Sequence, residues 1–208
     1  MSGREYTVSG VILTVFVTAG LILACVGLAA TGRRVHIAGD PPGPAGNERA
    51  AYRNLSAIAD AQERYIAGDW DDDGIRSYSP FLAHLWQAVD VEGRPVKTRF
   101  ISRRLAFATH PALAVDGYYY RLLQLKGRPD RPGVMDYQKE WAVMALPAAP
   151  LKTGRITFLC NSDREIFVRP VSADSIHYPL HPEEEGWSIV GDSESLDSFL
   201  ADPAAPGP

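Results

Sequence analysis

The spacing of hydrophobic positions changes character three times along this chain, and each change marks a different kind of element. From Tyr6 to Gly32 no charged residue occurs, and Val8–Ala30 (VSGVILTVFVTAGLILACVGLAA) is an apolar segment of 23 residues. As a helix it would reach about 34 Å, against a hydrocarbon core of about 30 Å. The run exceeds the apolar core of a cleaved signal peptide, and the residues before it offer one basic side chain, Arg4, beside Glu5. Ile22-Leu23-Ala24-Cys25 loosely fits a lipoprotein attachment site, but Val26–Ala30 stays apolar beyond the cysteine, so Cys25 reads as a small residue within the span. Residues 1–34 are therefore expected to be an uncleaved, single-pass transmembrane anchor.

The pattern then breaks. Ala38–Gly46 (AGDPPGPAG) holds three prolines and three glycines, which predicts an extended linker over 35–46. Asn47 follows as a helix N-cap, with Glu48 in the first turn. Ala51, Leu55, Ile58, Gln62 and Tyr65 recur at steps of three and four, with Ala59 and Ile66 widening the stripe. Charged residues hold most of the other faces, so an amphipathic helix of about five turns is expected, ending at Gly68. Ser79-Pro80 predicts the start of a short helix through Phe81, Leu82, Leu85 and Trp86.

From Asp116 the period shortens to that of strands. Gly117–Leu125, Trp141–Leu146, Arg155–Cys160 and Glu165–Val171 are β-rich runs separated by turn residues, the last pair by the tight Asn161-Ser162-Asp163. The expected fold class is α+β: the N-terminal transmembrane helix, then one amphipathic helix packed on a small, about four-stranded antiparallel sheet over 47–175. Residues 176–208, rich in acid and proline, read as a tail. The two cysteines, Cys25 and Cys160, lie in different parts of this plan, so no internal disulfide is expected.

Composition adds limits rather than detail. With 208 residues, 46% hydrophobic content and a net charge of −4, the chain is neither disordered nor a strongly basic nucleic-acid binder. No nucleic-acid partner is expected.

The order of elements resembles pilin-like headpieces. The likeness is carried by Asn47-Glu48-Arg49-Ala50-Ala51 opening a helix, by Leu55-Ser56-Ala57-Ile58, by Asp116-Gly117-Tyr118-Tyr119-Tyr120, by Trp141–Pro147 and by Thr153-Gly154-Arg155-Ile156-Thr157-Phe158 leading to Asp163-Arg164-Glu165-Ile166. The same series is similar to a family of bacterial envelope proteins known as a domain of unknown function. The resemblance covers roughly 47–170 and implies a pilin-like domain on the outer, periplasmic side of a bacterial cytoplasmic membrane. Pilins carry a processing site in which Gly is followed by a Phe-Thr-Leu-Ile-Glu series. Here Gly3 is followed by Arg4-Glu5-Tyr6-Thr7-Val8, and the prolines interrupt the continuous pilin helix, so a tethered domain is expected rather than a filament subunit.

Candidate chemistry is sparse. Asp69-Trp70-Asp71-Asp72-Asp73-Gly74 opens like a calcium loop: carboxylates at alternate positions converge on a hard cation, and Gly permits the turn. The twelfth position, where a bidentate Glu belongs, is Pro80. Asp69, Asp71 and Asp73 are the candidate metal ligands and calcium the candidate ion; a solvated acidic turn is the plain alternative. His177 and His181 are four apart, but Pro179 and Pro182 exclude the helix that would converge them. Tyr118 and Tyr120 share one face of a strand and Tyr119 takes the other, a packing pattern before it is a stacking platform. Arg94, Lys97, Arg99, Arg103 and Arg104 form a basic stretch suited to an acidic partner or a solvated loop.

No G-x-S-x-G, H-E-x-x-H, phosphate-binding or dinucleotide pattern occurs, so the chain is expected not to be an enzyme. The expected function is a structural or protein-interaction module of the cell envelope, an accessory subunit of a larger membrane complex, docking through strand edges and long loops. The alternative is a calcium- or metal-assisted envelope hydrolase using the Asp69–Asp73 turn.

Overall fold

Residues 43–127, 132–171 and 177–201 are described by the structure, a computed structural model. The first element, α1, spans Pro44–Ile66. Its start lies three residues before the Asn47 expected from sequence, because Pro44 occupies the first helical turn, where its missing N–H is no loss. Asn47 instead ties the helix to a distant loop, its side-chain amide donating to the Thr153 carbonyl at 2.8 Å. The expected stripe is the buried one, with Ala51, Leu55, Ile58, Gln62 and Tyr65 all inaccessible.

Ten short strands follow the helix among the described residues: β1 Ala88–Val89, β2 Pro95–Val96, β3 Tyr118–Leu122, β4 Leu125–Lys126, β5 Gly133–Val134, β6 Ala142–Pro147, β7 Ile156–Asn161, β8 Ile166–Pro170, β9 His177–Tyr178 and β10 Ser188–Val190. Two further helices are short, α2 at Arg103–Ala106 and α3 at Ser193–Ala201. The main sheet has five strands in the order β10-β8-β7-β6-β3, all antiparallel, where about four were expected. The fifth comes from the segment read as an acidic tail. Ile189 pairs with Phe167, and Val190, Leu196 and Leu200 join the core beneath. Short runs such as SIV carry too little periodicity to announce a strand without their partner.

The five-stranded sheet is covered on both faces. One face packs α1 through Tyr118, Tyr120, Val143, Phe158 and Val168. The other carries Tyr119, Met144, Leu159, Phe167 and Trp187. Alternation along β3 sorts the three tyrosines as the pleat requires. Buried as they are, Tyr118 and Tyr120 are unavailable for stacking on a ligand.

The anchor needs correcting. Among the described residues no helix is long and apolar enough to cross a membrane. At about 35 Å, α1 has the length, but Arg49, Arg53, Asp60, Glu63 and Arg64 make it amphipathic, and its apolar side is spent on the sheet. The single-pass anchor, the membrane as a partner and the location in a bacterial cytoplasmic membrane with an outer domain are therefore not carried forward. Val8–Ala30, Cys25 and the Pro/Gly linker before Gly43 lie outside the described residues.

Two details of the fold are open to test. A Cβ on Gly154 would sit 2.1 Å from the Tyr118 hydroxyl, which donates to the Ile156 carbonyl at 2.8 Å. Gly154→Ala should cost about 1–3 kcal/mol by overpacking, read from urea midpoints. Burial also raises the pKa of Tyr118 and Tyr120, and pushes Tyr65 and Tyr137 up to about 12. The unfolded chain releases these protons near pH 10, so the tyrosines favour the fold fully below that value and progressively less above it. Tyrosinate absorbance should therefore appear together with loss of helix signal between pH 10 and 12; tyrosines ionising in a folded protein would contradict this.

Candidate functional site

The acidic turn begins where α1 ends. The Trp70 indole N–H donates to the Arg64 carbonyl at 3.3 Å, folding the chain back over the helix terminus. Asp69 then accepts from the backbone N–H groups of Asp73 at 3.2 Å and Gly74 at 3.0 Å, and Asp73 accepts from Ile75 at 2.7 Å. Asp72 and Gly74 take φ of 56° and 79°, the left-handed region that closes the turn. The result brings the three sequence-predicted carboxylates together, with one oxygen from each of Asp69, Asp71 and Asp73 within 4.8 Å of the others.

Two further polar side chains lie beside this turn, Tyr65 and His84. The buried Tyr65 hydroxyl lies near the Ser79 side chain without a well-formed hydrogen bond among the described residues, and its pKa is raised chiefly by burial, then by the charges of Asp71, Asp73 and Asp69, against the opposing pull of Ser79. His84 Nδ1 is likewise buried and unpaired, and burial lowers the imidazole pKa against the opposing pull of Asp71. Burial raises the Asp71 carboxyl above its ordinary value, and the neighbouring charges of Asp73 and Asp69 act in the same direction. Pro80, the twelfth position of the loop pattern, supplies no carboxylate; its carbonyl accepts from the Gln124 side chain at 3.2 Å.

A second feature grows from the 3₁₀ turn Leu82–Leu85, the short helix expected after Ser79-Pro80. Segment 98–100 is stitched to its end: the Thr98 hydroxyl donates to the His84 carbonyl at 2.7 Å, and the N–H groups of Arg99 and Phe100 donate to Trp86 and Leu85. Arg99 is held at φ 53° with its guanidinium 5.4 Å from the Trp86 ring centre. Ser102 caps α2 through the Leu105 N–H, which sets Arg103 5.9 Å from the Phe107 ring centre. Ala83, Trp86, Gln87, Arg103 and Phe107 enclose a groove of about 390 Å³. Within the basic stretch Arg94 pairs with Asp90 and Glu92. Among the described residues no carboxylate pairs with Lys97, Arg99, Arg103 or Arg104.

The turn and the groove adjoin. Trp70 meets Phe100 edge to face at 5.2 Å, and Val91 N–H donates to the Asp71 carbonyl at 2.8 Å. The remaining sequence candidates do not join them. His181 is exposed on a loop, and the side chain of His177 lies outside the described residues. Cys160 lines a separate cavity of about 320 Å³ with Tyr52, Arg164 and Ile189, but burial pushes its thiol up to about 12. That thiol should resist alkylation in the folded protein and react on unfolding, as read by mass mapping of its peptide.

The model of one protein family matches residues 45–179; the family is DUF2950, described as a protein of unknown function. The chain belongs to the DUF2950 family. No curated protein and no solved structure matched it. The DUF2950 match takes in α1, the acidic turn, the groove and β1 to β9, and stops before β10 and α3. Both candidate features thus fall within the part of the chain that defines its DUF2950 membership.

Proposed function

We propose that this domain is a protein-docking module whose contact surface is the groove bounded by Trp86, Arg103 and Phe107. The observation that carries the reading is a pair of guanidiniums laid on partly exposed aromatic rings, with no neutralising carboxylate among the described residues. Arginine and aromatic side chains are the groups that dominate binding energy when desolvated together, and cations left unpaired at a concave surface favour an acidic polypeptide. The resemblance to pilin-like headpieces supports an assembly role by analogy alone.

Sheet augmentation, by contrast, gains little support. The outer side of β3 is occupied where Tyr120 N–H donates to the Ala108 carbonyl at 2.7 Å, and β10 is three residues long. The test uses a labelled glutamate-rich peptide and fluorescence anisotropy. Binding should weaken with salt and drop at least tenfold in a Phe107→Ser/Arg103→Gln variant, since about 1.4 kcal/mol is tenfold. Equal binding by both proteins would remove the groove from consideration.

A second reading has its own observation. The converging oxygens of Asp69, Asp71 and Asp73 are alternate carboxylates of one turn, as a calcium loop requires. Calcium held there at a hundredfold excess over its Kd would add about 2.7 kcal/mol of stability. For a protein of this size that is about 5–10 °C in Tm. No shift with calcium, alongside an unchanged Asp71→Asn control, would sink the calcium reading.

A further inference from the structure

The groove and the acidic turn form one bipolar surface. At one end stand Asp69, Asp71, Asp72 and Asp73; at the other stand Lys97, Arg99, Arg103 and Arg104. The two ends share the 3₁₀ turn: His84 feels the Asp71 charge, while Ala83 opens into the groove. Yet no ion pair joins them within the chain among the described residues. Opposite charges on adjoining segments, with no ion pair between them among the described residues, are available to an external partner.

The same surface concentrates exposed apolar side chains. Of the ten large hydrophobic residues exposed among the described ones, Ile75, Phe81, Val91 and Phe107 belong to it. Ile75 follows the acidic turn directly, Val91 is bonded to Asp71 through its backbone, Phe81 packs on the His84 ring at 5.1 Å, and Phe107 walls the groove. Apolar groups between charged ends of opposite sign are the composition of an interface core with a polar rim.

A surface that carries both signs has one partner whose complementarity is already present: itself. Rotated by a two-fold axis, the acidic turn of one copy meets the basic end of the other, and the reverse contact forms at the same time. Such isologous contacts are the commonest route to a homo-oligomer, because one patch satisfies both subunits.

We propose that the partner of the docking surface is a second copy of this chain, joined through a two-fold contact of acidic turn against basic groove. The inference rests on the docking-module reading and names its partner. It requires that dimerisation weaken with salt, because the rim contacts are exposed charge pairs.

Sedimentation of the full chain tests it without any substitution: dimer at low salt, monomer in about 1 M salt, where the Debye length is about 3 Å. Association that strengthens or persists in salt would overturn the proposal, since contacts through other apolar segments behave that way. Two charge-reversed variants then locate the contact. Arg103→Glu/Arg104→Glu places acids in the first turn of α2, which tolerates them, and Asp71→Lys/Asp72→Lys leaves the Asp69 and Asp73 turn bonds intact. Each alone should dimerise about a hundredfold more weakly or worse, because the altered end then carries two charges of each sign and both contacts lose their attraction. An equal mixture should recover association as a heterodimer, because the intact turn of one variant meets the intact basic end of the other while the introduced acids face the introduced lysines. A mixture that stays monomeric, with each variant melting near the wild type, refutes the two-fold contact. If the wild type is monomeric throughout but still binds the glutamate-rich peptide through the groove, the second copy is excluded and the docking reading stands. If it is monomeric and binds no peptide, both fall.

Discussion

Replacing Arg155 by alanine will lower the folding stability by about 3–5 kcal/mol, the range for removing one partner of a buried ion pair. Glu48, on the buried side of α1, is fully inaccessible; its carboxylate accepts the Arg155 backbone N–H at 2.6 Å and pairs with the guanidinium at 3.1 Å. The arginine is 37% exposed, so its own charge can turn to water, while the carboxylate cannot. Loss of the side chain therefore strands an anion beneath the helix, held by one backbone donor. Replacing both partners, as Glu48→Leu/Arg155→Met, should recover most of the loss, because no buried charge remains. Urea unfolding of the single and double variants decides it. A single variant within about 1 kcal/mol of wild type would show that the pair contributes little.

Phe158→Ala is the second large effect, again about 3–5 kcal/mol. The ring is fully buried, lies edge-on to Tyr118 at 5.7 Å, and stands where β7 faces α1. Deleting it leaves a cavity between a helix and a sheet that are each fixed by other contacts, so little collapse can offset the loss. Phe107→Ala is the matching control. That ring is 46% exposed, and its removal should leave Tm nearly unchanged while weakening association. A large stability loss at Phe107 would make it a core residue and not a contact.

How far the sequence carried these conclusions depended on whether a signal was local. The α1 stripe and the strands β3, β6, β7 and β8 were legible because period and turn chemistry sit within a dozen residues. Their ends differ from expectation by a residue or a few, as helix and strand termini commonly do. The fifth strand was not legible, since Ser188-Ile189-Val190 becomes a strand only against β8. Glu48 was read as a favourable charge near a helix start; its burial against Arg155, 107 positions away, has no local trace. At the candidate site, Asp69, Asp71 and Asp73 were readable from their spacing. Trp86 was not, because an aromatic in a short apolar run looks like core until the fold leaves it partly exposed. The expected membrane anchor rested on hydropathy alone, and no helix among the described residues answers to it.

The placement of β10 and α3 bears on how the chain matures. Translation delivers α1 before the strands of the main sheet and residues 188–201 after every other strand of it. Until they arrive, β8 presents an open edge, and the floor beneath Val190, Leu196 and Leu200 is uncovered. The exposed bond from Arg49 to Asp197 can form only then, closing this later segment onto the earlier helix α1. A nascent chain halted before residue 188 would thus be a sheet with an unprotected border, the state in which strands recruit the wrong neighbours. This late segment serves as the sheet's hem, and the time between its neighbours' folding and its own arrival is when the sheet is most exposed to aggregation.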